Sequence, residues 1–218
     1  YNLNMRKPSF AMNMLPGSGW HVNGKLSYEW NQFMDGFAVS EEYSTFGANF
    51  APNNTARISA EYEKHFTLNK VKKIVASIRG LGGGLSNPSV DDFFHFYGGG
   101  LPGVKGYTFY EDDLTGPYYI IGSSILRIPL FLEKNYTLLQ FNFQDFSLGG
   151  IFQFGSAVHN SFIEIIDHRN YKLSAGLECR LHGFSFYSYP TAIAYEYHKA
   201  FMDIDEKGKH YFSLLFDF

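Results

Sequence analysis

Residues 20–31 read WHVNGKLSYEWN, and a single alternation runs through the whole stretch. Trp20, Val22, Gly24, Leu26, Tyr28 and Trp30 fall on one side, and His21, Asn23, Lys25, Ser27, Glu29 and Asn31 on the other. Successive side chains of a strand point to opposite faces, so this is a strand between an apolar and a polar environment. The pattern recurs: Ile58, Ala60 and Tyr62 alternate with Arg57, Ser59, Glu61 and Glu63, and Leu173, Ala175, Leu177 and Cys179 with Ser174, Gly176, Glu178 and Arg180. The last strand sets Phe212, Leu214, Phe216 and Phe218 against Tyr211, Ser213, Leu215 and Asp217.

Reading turns from Pro, Gly, Asn and Asp gives about ten strands, near residues 7–15, 20–33, 37–51, 55–68, 71–85, 118–132, 142–158, 171–183, 186–201 and 209–218. No segment sustains a 3.6-residue period, so the chain reads as all-β. A soluble sandwich or lipocalin-like barrel would turn the apolar faces inward; a membrane barrel turns them to lipid and the polar faces to the lumen. Three features favour the second. The polar faces mix both signs of charge, Trp20 and Trp30 stand toward strand ends as interfacial girdles do, and the chain ends on an apolar strand whose last residue is Phe218. The strands are also long enough to cross a bilayer when tilted. The expectation is an antiparallel up-and-down transmembrane β-barrel.

Composition agrees. The 218 residues include 23 Phe and 16 Tyr, yet mean hydropathy is slightly negative and the net charge is only −3. Interspersed charges of both signs give no reason to expect nucleic acid. The single Cys179 excludes an internal disulfide, and no apolar run is long enough for a membrane helix. The chain begins at Tyr1 with no signal-peptide pattern, and a fragment of a longer precursor is expected.

Counting back from the C-terminus of an up-and-down barrel puts 203–208, 160–170 and 86–117 at the same end. The longest, 86–117, contains FHFYGGGLPGVKGYTFYEDD, residues 94–113. Gly98, Gly100 and Gly103 fit G-x-G-x-x-G, but Pro102 interrupts it and no βαβ unit surrounds it, so nucleotide binding is rejected. Its aromatic residues imply packing rather than a free linker. A loop returning into a polar lumen needs glycines for close backbone approach, and its buried cation needs carboxylate partners.

FYGGGLPGVKGY, followed by the strand YYIIGSSILRIPLFL, resembles the BamA-like (bacterial surface antigen) superfamily of outer-membrane barrels, particularly versions fused behind a periplasmic propeller. In that family a long extracellular loop folds into the lumen, carrying glycines and then a Val/Ile-Arg-Gly-Phe/Tyr tip. Gly98, Gly99 and Gly100 match the glycines; Val104, Lys105, Gly106 and Tyr107 match the tip. Ser123 to Leu130 match the next strand, Gly155 in IFQFGSAV the family's strand glycine, and YKLSAGLECRL and the terminal YFSLLFDF the later strands. The resemblance covers roughly residues 56–218. It departs where Lys105 replaces the tip arginine, Gln153 its carboxylate partner and Ile125 a glutamate. Lys105 and Gln153 can make only an ordinary hydrogen bond, which leaves Glu178 or Glu196 as candidate partners for the ammonium group.

The resemblance implies the C-terminal portion of a sixteen-stranded barrel in the bacterial outer membrane, 86–117 being its lumenal loop. It implies insertion or translocation of proteins without covalent chemistry, at a weak seam beside the terminal strand that bears Tyr211, Phe212, Leu214, Phe216 and Phe218. The implied partners are outer-membrane lipids and unfolded or secreted protein clients, or a periplasmic or lipoprotein partner. The alternative is a passive barrel anchor or pore for a fused or partner module. No cofactor, metal or catalytic residue is expected: there is no G-x-S-x-G or H-E-x-x-H, and neither Ser185 nor Ser188 has a specific histidine spacing. His65, His182 and His198 read as hydrogen-bonding residues of the polar faces.

Overall fold

The computed structural model describes residues 1–6, 18–40, 45–167, 169, 171–186, 189–201 and 207–216. The main strands are β1 (Asn2–Asn4), β2 (Gly19–Ser40), β3 (Thr45–Asn69), β4 (Ile74–Leu85), β7 (Tyr118–Phe131), β9 (Phe141–Val158), β10 (Lys172–Ser185), β11 (Tyr189–Ala200) and β12 (Lys209–Phe216). Short pieces β5 (Phe96–Tyr97) and β6 (Thr115–Gly116) pair within the long connection, and β8 (Tyr136–Leu138) pairs with β9. No α-helix occurs among the described residues. The main sheet has ten strands in the order β1-β2-β3-β4-β7-β9-β10-β11-β12, with β8 off the path, and its pairings are antiparallel between chain neighbours. The chain is therefore an all-β, up-and-down meander. Among the described residues the path ends at β1 and β12, and no pairing joins those two edges.

The sheet has about the expected number of strands among the described residues, and the long ones from β7 onward lie close to their expected bounds; β1 and β8 are additions, and the first half divides differently. The expected strands 20–33, 37–51 and 55–68 are two long ones, of 22 and 25 residues. Asp35-Gly36, expected as a turn, is a bulge in β2, where the register shifts between Met34 and Phe37 and Gly36 has φ 90°. A bulge with a left-handed glycine keeps the strand running. Pro52 also lies inside β3. There β3 has only β2 beside it, because pairing with β4 covers only Arg57 to Asn69, and an edge position tolerates a residue without N–H. The expected strand 7–15 and Phe218 lie outside the described residues.

The faces are inverted relative to a soluble sheet. On β10, Leu177 is 67% exposed and the adjacent Glu178 1%. Arg180, His182, Glu196 and His198 are also buried, whereas Phe212, Leu214 and Phe216 are exposed. Both buried apolar clusters among the described residues involve the 86–117 connection. One joins Val104, Tyr107 and Leu114 to Ile121 and Ala200, and the other joins Val90, Phe94 and Phe96 to Leu85. The apolar core is thus the loop packed onto the polar face of the sheet.

That loop reaches from β3 to β12. Arg57 on β3 donates to the Phe94 carbonyl at 3.3 Å, while the Gly106 N–H donates to the Tyr211 hydroxyl on β12 at 3.0 Å. These two loop residues are twelve apart and do not by themselves fix the curvature; one cavity of about 320 Å³ does, being lined both by Glu61 on β3 and by Glu196 on β11. Those strands would be about 24 Å apart in a flat sheet, so the sheet curves around the loop.

Candidate functional site

The base of the loop is fixed by backbone contacts. The Gly98 N–H donates to the Leu114 carbonyl at 2.7 Å, and the Val104 N–H to the Gly98 carbonyl at 2.8 Å. A Cβ on Gly103 would stand 1.9 Å from that same Gly98 oxygen, so only glycine permits the crossing. At the tip Gly106 has φ 100° and lies against β11, where a Cβ would approach the Ala200 nitrogen to 3.1 Å. Opposite it the wall is relieved: Val104 occupies the space where a side chain on Gly155 of β9 would begin, with its Cγ2 2.6 Å from that position.

The wall holds Gly103, Lys105 and Tyr107, besides Gly106 at Tyr211. Gln153 spans two of them, accepting from the Lys105 N–H at 3.0 Å and donating to the Gly103 carbonyl at 3.2 Å. A carboxylate could not make the second bond, which gives glutamine a physical reason to stand there. Tyr107, buried to 1% exposure, donates its hydroxyl to the Leu173 carbonyl at 2.9 Å. The Lys105 ammonium turns past Gln153 to pair with Glu196 on β11, and lies 5.8 Å from the centre of the Tyr211 ring. Of the two carboxylates expected as its partners, Glu196 takes it and Glu178 does not.

Glu178 has other cations. Arg127 of β7 donates to it at 2.8 Å through Nε, and Arg180 at 2.6 Å through Nη2. Arg127 and Glu178 sit either side of β9, both in register with Gly149, where a Cβ would come within 3.3 Å of Glu178. The missing side chain leaves a passage for the pair. Glu178 is also directly opposite Glu196 across the β10–β11 ladder. Like charges so placed repel. Arg127 and Arg180 balance Glu178, and Lys105 balances Glu196, which otherwise keeps only His198 at 2.9 Å.

A cavity of about 320 Å³ lies beside this cluster, lined by Glu61, Arg79, Lys105, Arg127, Gln153 and Glu196 among others. Arg79 donates to Glu61 at 2.6 Å. His65 bonds Ser77 at 2.7 Å, and His182, though buried, has no hydrogen-bond partner among the described residues. Ser185 shares a 2.6 Å hydrogen bond with Thr191, and Ser188 lies outside the described residues.

The sequence reading missed Tyr211 as a tether for Gly106, and the Arg127–Glu178–Arg180 bridge. Alternation placed Tyr211, Glu178 and Arg180 on polar faces; only register brings Arg127 and the loop to them. On β12 Phe212, Leu214 and Phe216 point the other way, outward.

No family model, curated protein or solved structure matches this chain.

Proposed function

We propose that the chain is the C-terminal portion of a BamA-like transmembrane β-barrel of the bacterial outer membrane that inserts or translocates proteins. The observation that carries the reading is the tie between the folded-in loop and the last two strands. Lys105 binds Glu196 on β11 and Gly106 binds Tyr211 on β12, the strand whose far edge has no partner among the described residues. Movement of the tip therefore bears directly on the strand where an incoming segment would pair.

The inverted faces support the membrane setting. An apolar exterior needs hydrocarbon around it, and the buried carboxylates Glu178 and Glu196 need the cations that they have, Arg127 and Arg180 for the first and Lys105 for the second. An unpaired strand edge in lipid must be completed, by further strands of a sixteen-stranded barrel or by closure as a smaller one. Chemistry is not required of such a device: it acts by exposing and covering backbone hydrogen-bonding groups.

The test reconstitutes the natural full-length protein in liposomes and adds a urea-unfolded outer-membrane barrel, following the client's heat-modifiable folded band with time. Faster client folding than in empty liposomes supports assembly, and Tyr211→Phe should change that rate. A protein that inserts normally and leaves client folding unchanged is a passive anchor.

A further inference from the structure

The two ends of the sheet differ in charge. At the end of the long connection the loops carry Asp91, Asp92, Glu111, Asp112 and Asp113. At the opposite end two tight turns adjoin. One, between β3 and β4, presents Lys70, Val71, Lys72 and Lys73; the other, between β7 and β8, presents Glu133 and Lys134. Lys73 binds Glu133 at 3.1 Å, which joins the turns into one surface. Their backbones are set: Asn69 Oδ1 accepts from the Val71 and Lys72 N–H groups at 3.0 and 2.9 Å, and Lys73 and Glu133 take left-handed conformations. Among the described residues the carboxylates beside these turns are Glu133 and Asp145, the latter accepting from the Glu133 N–H at 2.8 Å. Lys70, Lys72 and Lys134 make no ion pair among the described residues.

We propose that this end is a docking surface for anionic phospholipid headgroups, with Lys70, Lys72, Lys73 and Lys134 against their phosphates. The inference rests on the membrane-barrel reading. What selects a lipid surface over an acidic protein is the apolar material mixed with the lysines. Val71, between Lys70 and Lys72, is 89% exposed, as is Leu139, and Tyr136 and Leu138 are exposed beside it. The exposed stripes of β3 and β7 lead to these turns through Leu68 and Leu130. Lysines just beyond an apolar band, with aliphatic side chains between them, fit the boundary where hydrocarbon gives way to phosphate. Each lysine near an anionic surface strengthens association roughly fivefold, and salt screens the effect.

The experiment places the natural full-length protein in phosphatidylcholine vesicles with trace spin-labelled phosphatidylglycerol or phosphatidylcholine, and reads the motionally restricted lipid fraction. Wild type is expected to select phosphatidylglycerol by about 25-fold in low salt, the net effect of four lysines less two carboxylates. The Lys70→Gln/Lys72→Gln/Lys73→Gln/Lys134→Gln variant should lose that selectivity, high salt should weaken it, and Glu133→Gln, a milder change, should raise it. Equal selectivity in wild type and the quadruple variant overturns the proposal, as does wild type without selectivity. Soluble polyglutamate binding to wild type only, without lipid selectivity, overturns it in favour of an acidic protein partner. Absence of any restricted lipid refutes the membrane-barrel reading itself, and the docking surface falls with it.

Discussion

The folded-in loop and the outer half of the β2–β3 ribbon leave the sheet at the same end, and both are rich in aromatic residues. In the loop Phe94, Phe96 and Tyr107 are buried; in the ribbon Trp30, Phe37 and Phe46 are largely exposed. Hydrophobicity does not separate them. The difference is in the backbone. Glycines in the loop let the chain cross itself and lie against the wall, where Gln153 and Leu114 satisfy its N–H and C=O groups. The ribbon satisfies its own groups across the hairpin and has no cause to fold in. Its bulge even preserves one apolar face: Met34 pairs with Phe50, Phe37 with Ala48 and Val39 with Phe46.

The comparison can be broken most severely at Gly103. Gly103→Val drives a side chain into the Gly98 carbonyl, so the loop should lose its dock, seen as rapid protease cleavage within 86–117 while the strands stay heat-modifiable. Tyr107→Ala removes a fully buried ring and should weaken docking by about 3 kcal/mol. Lys105→Ala leaves Glu196 facing Glu178 without its counter-charge, and about 2 kcal/mol of docking should be lost, read as protease sensitivity that Glu196→Gln in the same chain partly rescues. Unchanged protection in Lys105→Ala would remove the ion pair from the account. Tyr211→Phe deletes one hydrogen bond and should cost about 1 kcal/mol.

A smaller effect comes from pH. Burial holds the His95 pKa below its ordinary value, against the pull of Asp92. The docked loop thus binds fewer protons than the released one, and its stability, full above about pH 6.5, should fall as the pH drops below that value. Protease cleavage of the loop should quicken correspondingly, and less so in His95→Gln. Smallest of all, Phe37→Ser and Phe46→Ser in the ribbon should change stability by no more than about 0.5 kcal/mol, in contrast to every loop variant.

Much of this was legible in the sequence. Alternation located the strands of the second half, because turns there carry the usual punctuation and each face has one character. It failed at Asp35-Gly36 and Pro52, where turn-forming residues sit on strand edges that accommodate them. It put Glu178 on a polar face, and the resemblance put Lys105 at the loop tip with Glu178 or Glu196 as its partner, but neither could choose between the two carboxylates. That choice depends on Arg127, two strands from Glu178, and on Gly149 leaving room between them. No local pattern records a contact of that kind.

The Lys105–Glu196 pair joins positions 91 residues apart, and the Gly106–Tyr211 bond positions 105 apart. Such closures are slow and become available only after the intervening chain is in place. During biogenesis the tip can meet Gln153 on β9 and the Leu173 carbonyl on β10 first, but its ion pair with Glu196 and its tether to Tyr211 wait for β11 and β12. Locking of the loop is therefore the late event, and its full protection from protease marks a chain whose final strands have arrived.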